Sequence, residues 1–455
     1  MSIVLKSLSV PSFGTPARCP EIPTEVYAAR CDQLFAAAGT DWVAVYADRE
    51  HLANIAFLTA FEPRFEEAFL LLGPAGRRVL ICGNESRDYA PLSRLPGVEV
   101  VLCQSCSLMG QDRSVAPALS VVLAEIGVKT GDSIGVVGWK YLSGAEWGGA
   151  APSFHASAYF VDSLRAAVGP QGTLTEATPI LMHPETGLRA VVDVHQIAAW
   201  EWGAARASDA VWRIVQGVRE GDDEFTAAAR MGYMGEELSA HVMFASAPLG
   251  TPVVGLRSPR GRKLQKGDGV TTAVSYWGGL SSRAALFDTE NDAFLEKAKG
   301  YFAGLIRWYE TAKIGVTGGE IDAAVRETLA RSDLKPALNP GHLVGHDEWL
   351  HTPITPGSTE KLRSGMPFQV DVIPVPMPVG QALNNEDAVT FADAEMRADL
   401  ARLYPEVAAR IVARRVFMAD EIGVALDDCI LPMSNTPLCL APFWLASDKL
   451  LVRAS

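Results

Sequence analysis

Three of the chain's eight histidines, His342, His346 and His351, fall within ten residues, bracketed by Pro340, Gly341, Gly345 and Pro353. Two carboxylates follow in apolar surroundings. Asp371 closes the stretch from Leu362, and Glu386 lies between Ala382 and Val389. Imidazole is the side chain that titrates near neutral pH without a large shift, so His342 and His351 are candidates for proton transfer. A carboxylate on an apolar strand is costly to bury unless it is paired or functional, which makes Asp371 and Glu386 candidates to orient substrate or water. Their separation suits adjacent strands of a hairpin, where they would share a proton or jointly bind a cationic group. The competing reading takes all four as hydrogen-bonded core groups. His342 and His346 stand four apart, the spacing of a zinc-binding helix face. Gly341 and Gly345 argue against a helix there, and the general-base Glu of H-E-x-x-H is absent.

The elements that must position these groups are legible around them. Leu362–Asp371 and Ala382–Val389 read as strands. Leu188–Val218 reads as a long helix, with Trp200, Ala204, Ala207, Val211 and Ile214 at helical spacing, and a second helix restarts near Glu224 with Asp222 or Asp223 as its cap. Upstream, a helix over Glu25–Ala38 stops at Gly39 and a strand covers Asp41–Tyr46. A short helix ends near Leu58, Ala68–Leu72 and Arg78–Cys82 form a hairpin, and further α/β units reach Gly138. Loops at residues 165–187 mark a boundary. The expected organisation is an N-terminal arm over 1–22, an α/β domain over 23–180 and a second domain over 188–455.

Gly341-His342 with Gly345 and the later His351-Thr-Pro353, then Gly365-Met-Pro-Phe368 leading to Asp371, then Asn385-Glu386-Asp387, together resemble the pita-bread hydrolases. That family includes methionine aminopeptidase, Xaa-Pro aminopeptidase, prolidase and creatinase. The order helix, Gly39-Thr-Asp41, strand, then Asn54 to Phe61, is similar to the N-terminal domain of creatinase and Xaa-Pro aminopeptidase. The resemblance implies an α/β plus α+β chain, a creatinase-like N-terminal domain followed by a pita-bread domain, acting as a homodimer on a C–N bond of a small amino-acid-like molecule or dipeptide.

The metal-dependent relatives hold two manganese, cobalt or zinc ions with two aspartates, a histidine and two glutamates. The resemblance maps the histidine to His342, one glutamate to the shorter Asp371 and the other to Glu386. The aspartates should lie near Ala273 and just before Arg283, and no acid stands at either place. The expectation is therefore no resident metal pair and a metal-independent, creatinase-like hydrolase. An Xaa-Pro metallopeptidase with an atypical metal site, or a non-catalytic binding protein, is the alternative. A further histidine of the relatives is absent from Gly255–Arg262, where Arg257 would instead clamp a substrate carboxylate or be a solvated loop residue. Phe61 and Arg64 sit where relatives let a neighbouring subunit cover the pocket, and are taken as substrate contacts.

Composition bounds the rest. The 455 residues are 48% hydrophobic and 20% charged with net charge −13, which fits two soluble domains and argues against a nucleic-acid backbone as partner. Seven scattered cysteines read as reduced thiols, Cys103-Gln-Ser-Cys106 included. No signal peptide or transmembrane run is evident, so a cytoplasmic location without a membrane partner is expected.

Overall fold

The structure, a computed structural model, describes residues 2–114 and 117–454. The chain divides into two compact units, one spanning Ile22–Ala190 and the other combining the residues up to Glu21 with Val191 onward.

The Ile22–Ala190 unit is built on a six-stranded mixed sheet. Its order is Glu99–Leu102, Arg77–Cys82, Ala68–Gly73, Trp42–Ala47, Ser133–Val137, Thr173–Glu176. The expected hairpin is present, antiparallel from Ala68↔Cys82 to Gly73↔Arg77. The helix Thr24–Ala38 ends at Gly39, whose φ of 62° is left-handed and suits a residue without a Cβ. Tyr46, Phe69 and Phe160 fill the core, with the last two rings stacked at 4.6 Å.

The other unit is organised by an antiparallel sheet. Its path runs His342–Leu343, Pro367–Val370, Asn384–Phe391, Gly279–Phe287, Asp268–Tyr276, Met243–Ala247, with Ile430–Pro432 pairing Asn384–Phe391 off this path. The helix Val194–Gly217 packs on the central hairpin through small residues: a Cβ on Gly203 would meet the Trp277 carbonyl at 2.0 Å. It begins at Asp193, whose carboxylate accepts the His195 and Gln196 amides, and not at Leu188, because the Gly187 turn occupies the preceding residues. Asp223 caps the next helix, Glu224–Ala229, while Asp222 accepts from the Arg219 amide and Arg230. The expected arm is partly a strand: Ile3–Ser7 pairs antiparallel with Lys449–Arg453. Unpaired backbone there finds partners in the last strand, which ties both chain ends to one unit. Glu201, fully buried, pairs with Arg410 and Arg414 of the helix Pro405–Phe417 at 2.6 Å each. Among the described residues, no helix is long and apolar enough to cross a membrane.

Candidate active site

Strand register gathers the site. Met243 lies opposite Ala273, Ala273 opposite Ser282, and Ser282 opposite Glu386. Val370 pairs Asp387, so the next step along both strands sets Asp371 beside Glu386. One row therefore reads Met243, Ala273, Ser282, Glu386, Asp371. Two residues along each strand, and so on the same face, His342 lies opposite Gln369 and Gln369 opposite Ala388. The Gln369 side-chain amide donates to the Leu280 carbonyl at 2.9 Å, adding Leu280 to this second row.

The opposite face fixes Glu386 from behind. Arg283, buried there, donates to the Glu386 carbonyl at 2.8 Å and pairs with Asp387 at 2.9 Å, with further bonds to the Thr436 and Cys439 carbonyls. His342 is set by its loop. Gly341 has a φ of 118°, and a Cβ on it would meet the Gln369 carbonyl at 2.9 Å, so glycine permits the approach. The Trp308 indole N–H donates to the Pro340 carbonyl at 2.7 Å, and the Thr352 hydroxyl to the Gly341 carbonyl at 2.7 Å.

His342, Asp371 and Glu386 each offer one ligand atom, and these atoms lie within 4.8 Å of one another, the one such group among the described residues. All three side chains are buried. His342 Nε2, Asp371 Oδ1 and Glu386 Oε1 each lack a hydrogen-bond partner in the protein. His342 Nδ1 lies 3.2 Å from the Leu343 carbonyl, which only an N–H satisfies, so Nε2 faces the carboxylates. It stands 3.2 Å from Glu348 and 3.8 Å from Glu386. Burial works against the imidazolium, but Glu348 above all, then Glu386 and Asp371, outweigh it and raise His342 well above its ordinary value. Burial also pushes the Asp371 carboxyl up to about 6, partly opposed by His342, and burial raises Glu386 as well, with help from Asp371. Trp349 stacks on the His342 ring at 4.1 Å.

The remaining candidates lie elsewhere. His351 is half-buried, its Nδ1 accepts the Thr352 amide at 2.8 Å, and it stands outside the group of three. Arg257 does not await a substrate carboxylate. It grips Glu224 with two bonds of 2.7 and 2.8 Å, because that fully buried acid needs a cation. Phe61 is a core residue of its own unit, 1% exposed and packed on Tyr89, which removes it as a substrate contact. Arg64 donates to the Tyr89 hydroxyl at 2.9 Å and lies over that ring, so a nearby aromatic already engages its guanidinium. Sequence reasoning gave no role to Glu348, Trp349, Gln369 or the Arg283–Asp387 pair. The signal available was the acidic Asp347-Glu-Trp349 stretch between His346 and His351, whose Glu348 reaches the imidazole.

No protein-family profile matches the sequence, and no curated protein does. Solved structures do. The prolidase from Pyrococcus horikoshii OT3 aligns with a TM-score of 0.61 at 16% identity, over 80% of this chain and 95% of that one. The dipeptidase PepE from Mycobacterium ulcerans aligns at 0.58 and 20% identity, over 82% and 95%. The X-Pro aminopeptidase from Thermotoga maritima MSB8 aligns at 0.58 and 17%, over 80% and 96%. This chain has the pita-bread fold. Within that fold, the residues in register with Glu386 on the next two strands of the sheet are Ser282 and then Ala273, neither of them a metal-binding acid. The donors fit one divalent cation: three buried N and O atoms without a hydrogen bond, in a group carrying carboxylates and an imidazole. They do not fit two.

Proposed function

We propose that this pita-bread chain is a hydrolase that cleaves a C–N bond in a small amino-acid-like or dipeptide substrate, with His342, Asp371 and Glu386 as its reacting group. The observation that supports this is the convergence on one face of the sheet of three buried polar atoms without a hydrogen bond, an imidazole nitrogen that only carboxylates approach and two carboxyl oxygens. Such groups are costly to leave unsatisfied and mark a place built for something else to bind.

Environment divides the labour. Asp371, pushed up to about 6, is largely ionised at neutral pH and is placed to accept a proton from an attacking water. Glu386, raised by burial and then by Asp371, is placed to share a proton with Asp371 and to hydrogen-bond a substrate oxygen or nitrogen. His342, kept protonated by Glu348, supplies a proton to the departing nitrogen. His351, outside the group, has no step. This scheme runs without a metal. Should one divalent ion occupy the site, His342 Nε2 with Asp371 and Glu386 oxygens would hold it, and it would polarise a carbonyl or lower the pKa of bound water. The reading includes a cytoplasmic homodimer with no nucleic-acid or membrane partner, on the strength of the resemblance and the acidic composition; sedimentation would measure the dimer.

The experiment is a turnover screen of proline-containing dipeptides beside guanidino and cyclic amidine compounds, on chelator-treated protein and on protein loaded with manganese, cobalt or zinc. Hydrolysis of at least one class is expected, with His342→Gln slowing it by about 100-fold or more. Unchanged turnover in that variant would remove the assigned proton transfer. Two tightly bound metal equivalents per chain would overturn the limit of one ion.

A further inference from the structure

Cys103-Gln-Ser-Cys106 lies in the Ile22–Ala190 unit, which carries none of His342, Asp371 and Glu386. The strand Glu99–Leu102 is an edge of that unit's sheet, and one 3-10 turn, Gln104–Cys106, follows it. The Cys106 amide donates to the Cys103 carbonyl at 3.0 Å. A turn closed in this way keeps its end Cα atoms within about 7 Å, close to the span a disulfide bridges. Both side chains are free thiols, 0% and 2% exposed. The Cys103 sulfur accepts two hydrogen bonds. The Leu119 amide donates to the Tyr159 hydroxyl at 3.3 Å, and Tyr159 donates to the Ser105 hydroxyl at 2.7 Å, which leaves the Ser105 proton for the Cys103 sulfur at 3.0 Å. The Cys106 thiol is the second donor. It above all, with Ser105 behind it, outweighs burial and draws Cys103 down to about 6. The same bond, and then burial, raise Cys106 and keep it protonated. Cys82, on the neighbouring strand, is pushed up to about 12 by burial. One thiolate with a protonated thiol three residues on is the pairing of an attacking and a resolving sulfur.

We infer that this turn is an oxidation site for small hydroperoxides, at which the Cys103 sulfur attacks the peroxide and Cys106 closes a disulfide. The inference goes beyond the hydrolase reading and does not depend on it. Burial sets the class of oxidant. Ser105 is half-buried and Leu108, Met109 and Gly110 are exposed, so the turn lies just beneath the surface at the end of an edge strand. Opening one such turn admits a molecule the size of hydrogen peroxide and not a bulky disulfide. The Cys103 thiolate attacks one peroxide oxygen. The O–O bond breaks, hydroxide leaves and takes a proton from solvent, and Cys103 becomes a sulfenic acid. The Cys106 sulfur then attacks the Cys103 sulfur, its proton leaves with the hydroxyl as water, and the S–S bond forms. Two electrons pass from the sulfurs to the peroxide, which ends as two waters.

The test uses full-length Cys19→Ser protein, which removes the exposed cysteine. The folded protein is treated with hydrogen peroxide, its remaining thiols are alkylated in denaturant, and tryptic peptides are mapped. The peptide from Leu95 to Arg113 carries both cysteines and should lose about 2 Da and escape alkylation, reversibly by thiol reductant. Cys82 and Cys439 should stay open to alkylation. Oxidised glutathione at the same concentration should leave the peptide reduced. With Cys106→Ser added, Cys103 should stop as a sulfenic acid that dimedone labels, and with Cys103→Ser added, Cys106 should stay unlabelled. Ser105 is a positioning residue. Ser105→Ala leaves the thiolate less populated but more nucleophilic, so oxidation should slow about twofold at pH 6 and quicken about twofold at pH 8. Far-UV circular dichroism checks that each variant is folded, and the peptide map of the Cys19→Ser protein carries the test if the buried-cysteine variants are not. A Leu95–Arg113 peptide that stays reduced, a disulfide made with Cys82, faster reaction with oxidised glutathione than with peroxide, dimedone labelling at Cys106, or a Ser105→Ala rate without the reversal between pH 6 and pH 8 would each overturn the proposal.

Discussion

Asp371→Asn should make the protein more stable at neutral pH. An ordinary aspartate titrates near 3.8, and burial pushes Asp371 up to about 6. Ionising it in the folded chain therefore costs about 3 kcal/mol relative to ionising it in the unfolded chain. A carboxyl whose folded pKa is raised binds its proton more tightly when folded. Its contribution is favourable at low pH and is lost as pH rises from about 4 through about 6. Above that window the native protein carries the full cost, and asparagine does not. Urea unfolding followed by circular dichroism, in chelator, at pH 5.0 and 7.5 measures it. The variant should gain up to about 3 kcal/mol at pH 7.5 and distinctly less at pH 5.0. Manganese or zinc should reverse the order, stabilising the parent and leaving the variant little changed, because the ion needs the carboxylate. A variant less stable than the parent at pH 7.5 without metal would refute the reasoning, since Asp371 would then be a satisfied structural group.

Three other perturbations probe the frame around the site. Glu201→Gln leaves Arg414 buried without its counter-charge and should cost about 3–5 kcal/mol by denaturant unfolding. Gly341→Ala must adopt a φ of 118° and press on the Gln369 carbonyl, so a loss of about 1–3 kcal/mol is expected, together with a fall in any hydrolysis that depends on His342. Ser282→Asp adds a carboxyl in register with Glu386. Divalent-cation titration should show tighter or additional binding, and unfolding without metal should show a loss of about 2 kcal/mol or more from the extra buried charge.

Much of the frame was legible before any coordinates. Apolar runs between turn residues located the hairpin Ala68–Cys82, the strand Asn384–Phe391 that carries Glu386 and the strand Pro367–Val370 that ends one residue before Asp371, and helical spacing located the helix read over Glu25–Ala38 and observed over Thr24–Ala38. Histidine and acid spacing and the resemblance named His342, His351, Asp371 and Glu386 together, and the fold groups three of them without His351. What sequence could not supply was which surplus charge had already found a partner. Arg257 looked available until the fold brought Glu224 to it from thirty-three residues away. Phe61 looked like a contact until the sheet and Tyr89 enclosed it. Glu348 had no role in the sequence reading, and the fold brings it to the His342 ring.

By itself, then, the sequence determined where the main helices and strands fall, which depends on neighbours a few residues apart, and which side chains are able to exchange protons, which depends on residue type. Only the tertiary structure decided the rows, with Met243 and Ala273 continuing the line of Glu386 and Asp371 and making half of that face apolar. The reason is physical: strand register brings together side chains more than a hundred residues apart, and no local pattern encodes which of them will share a face.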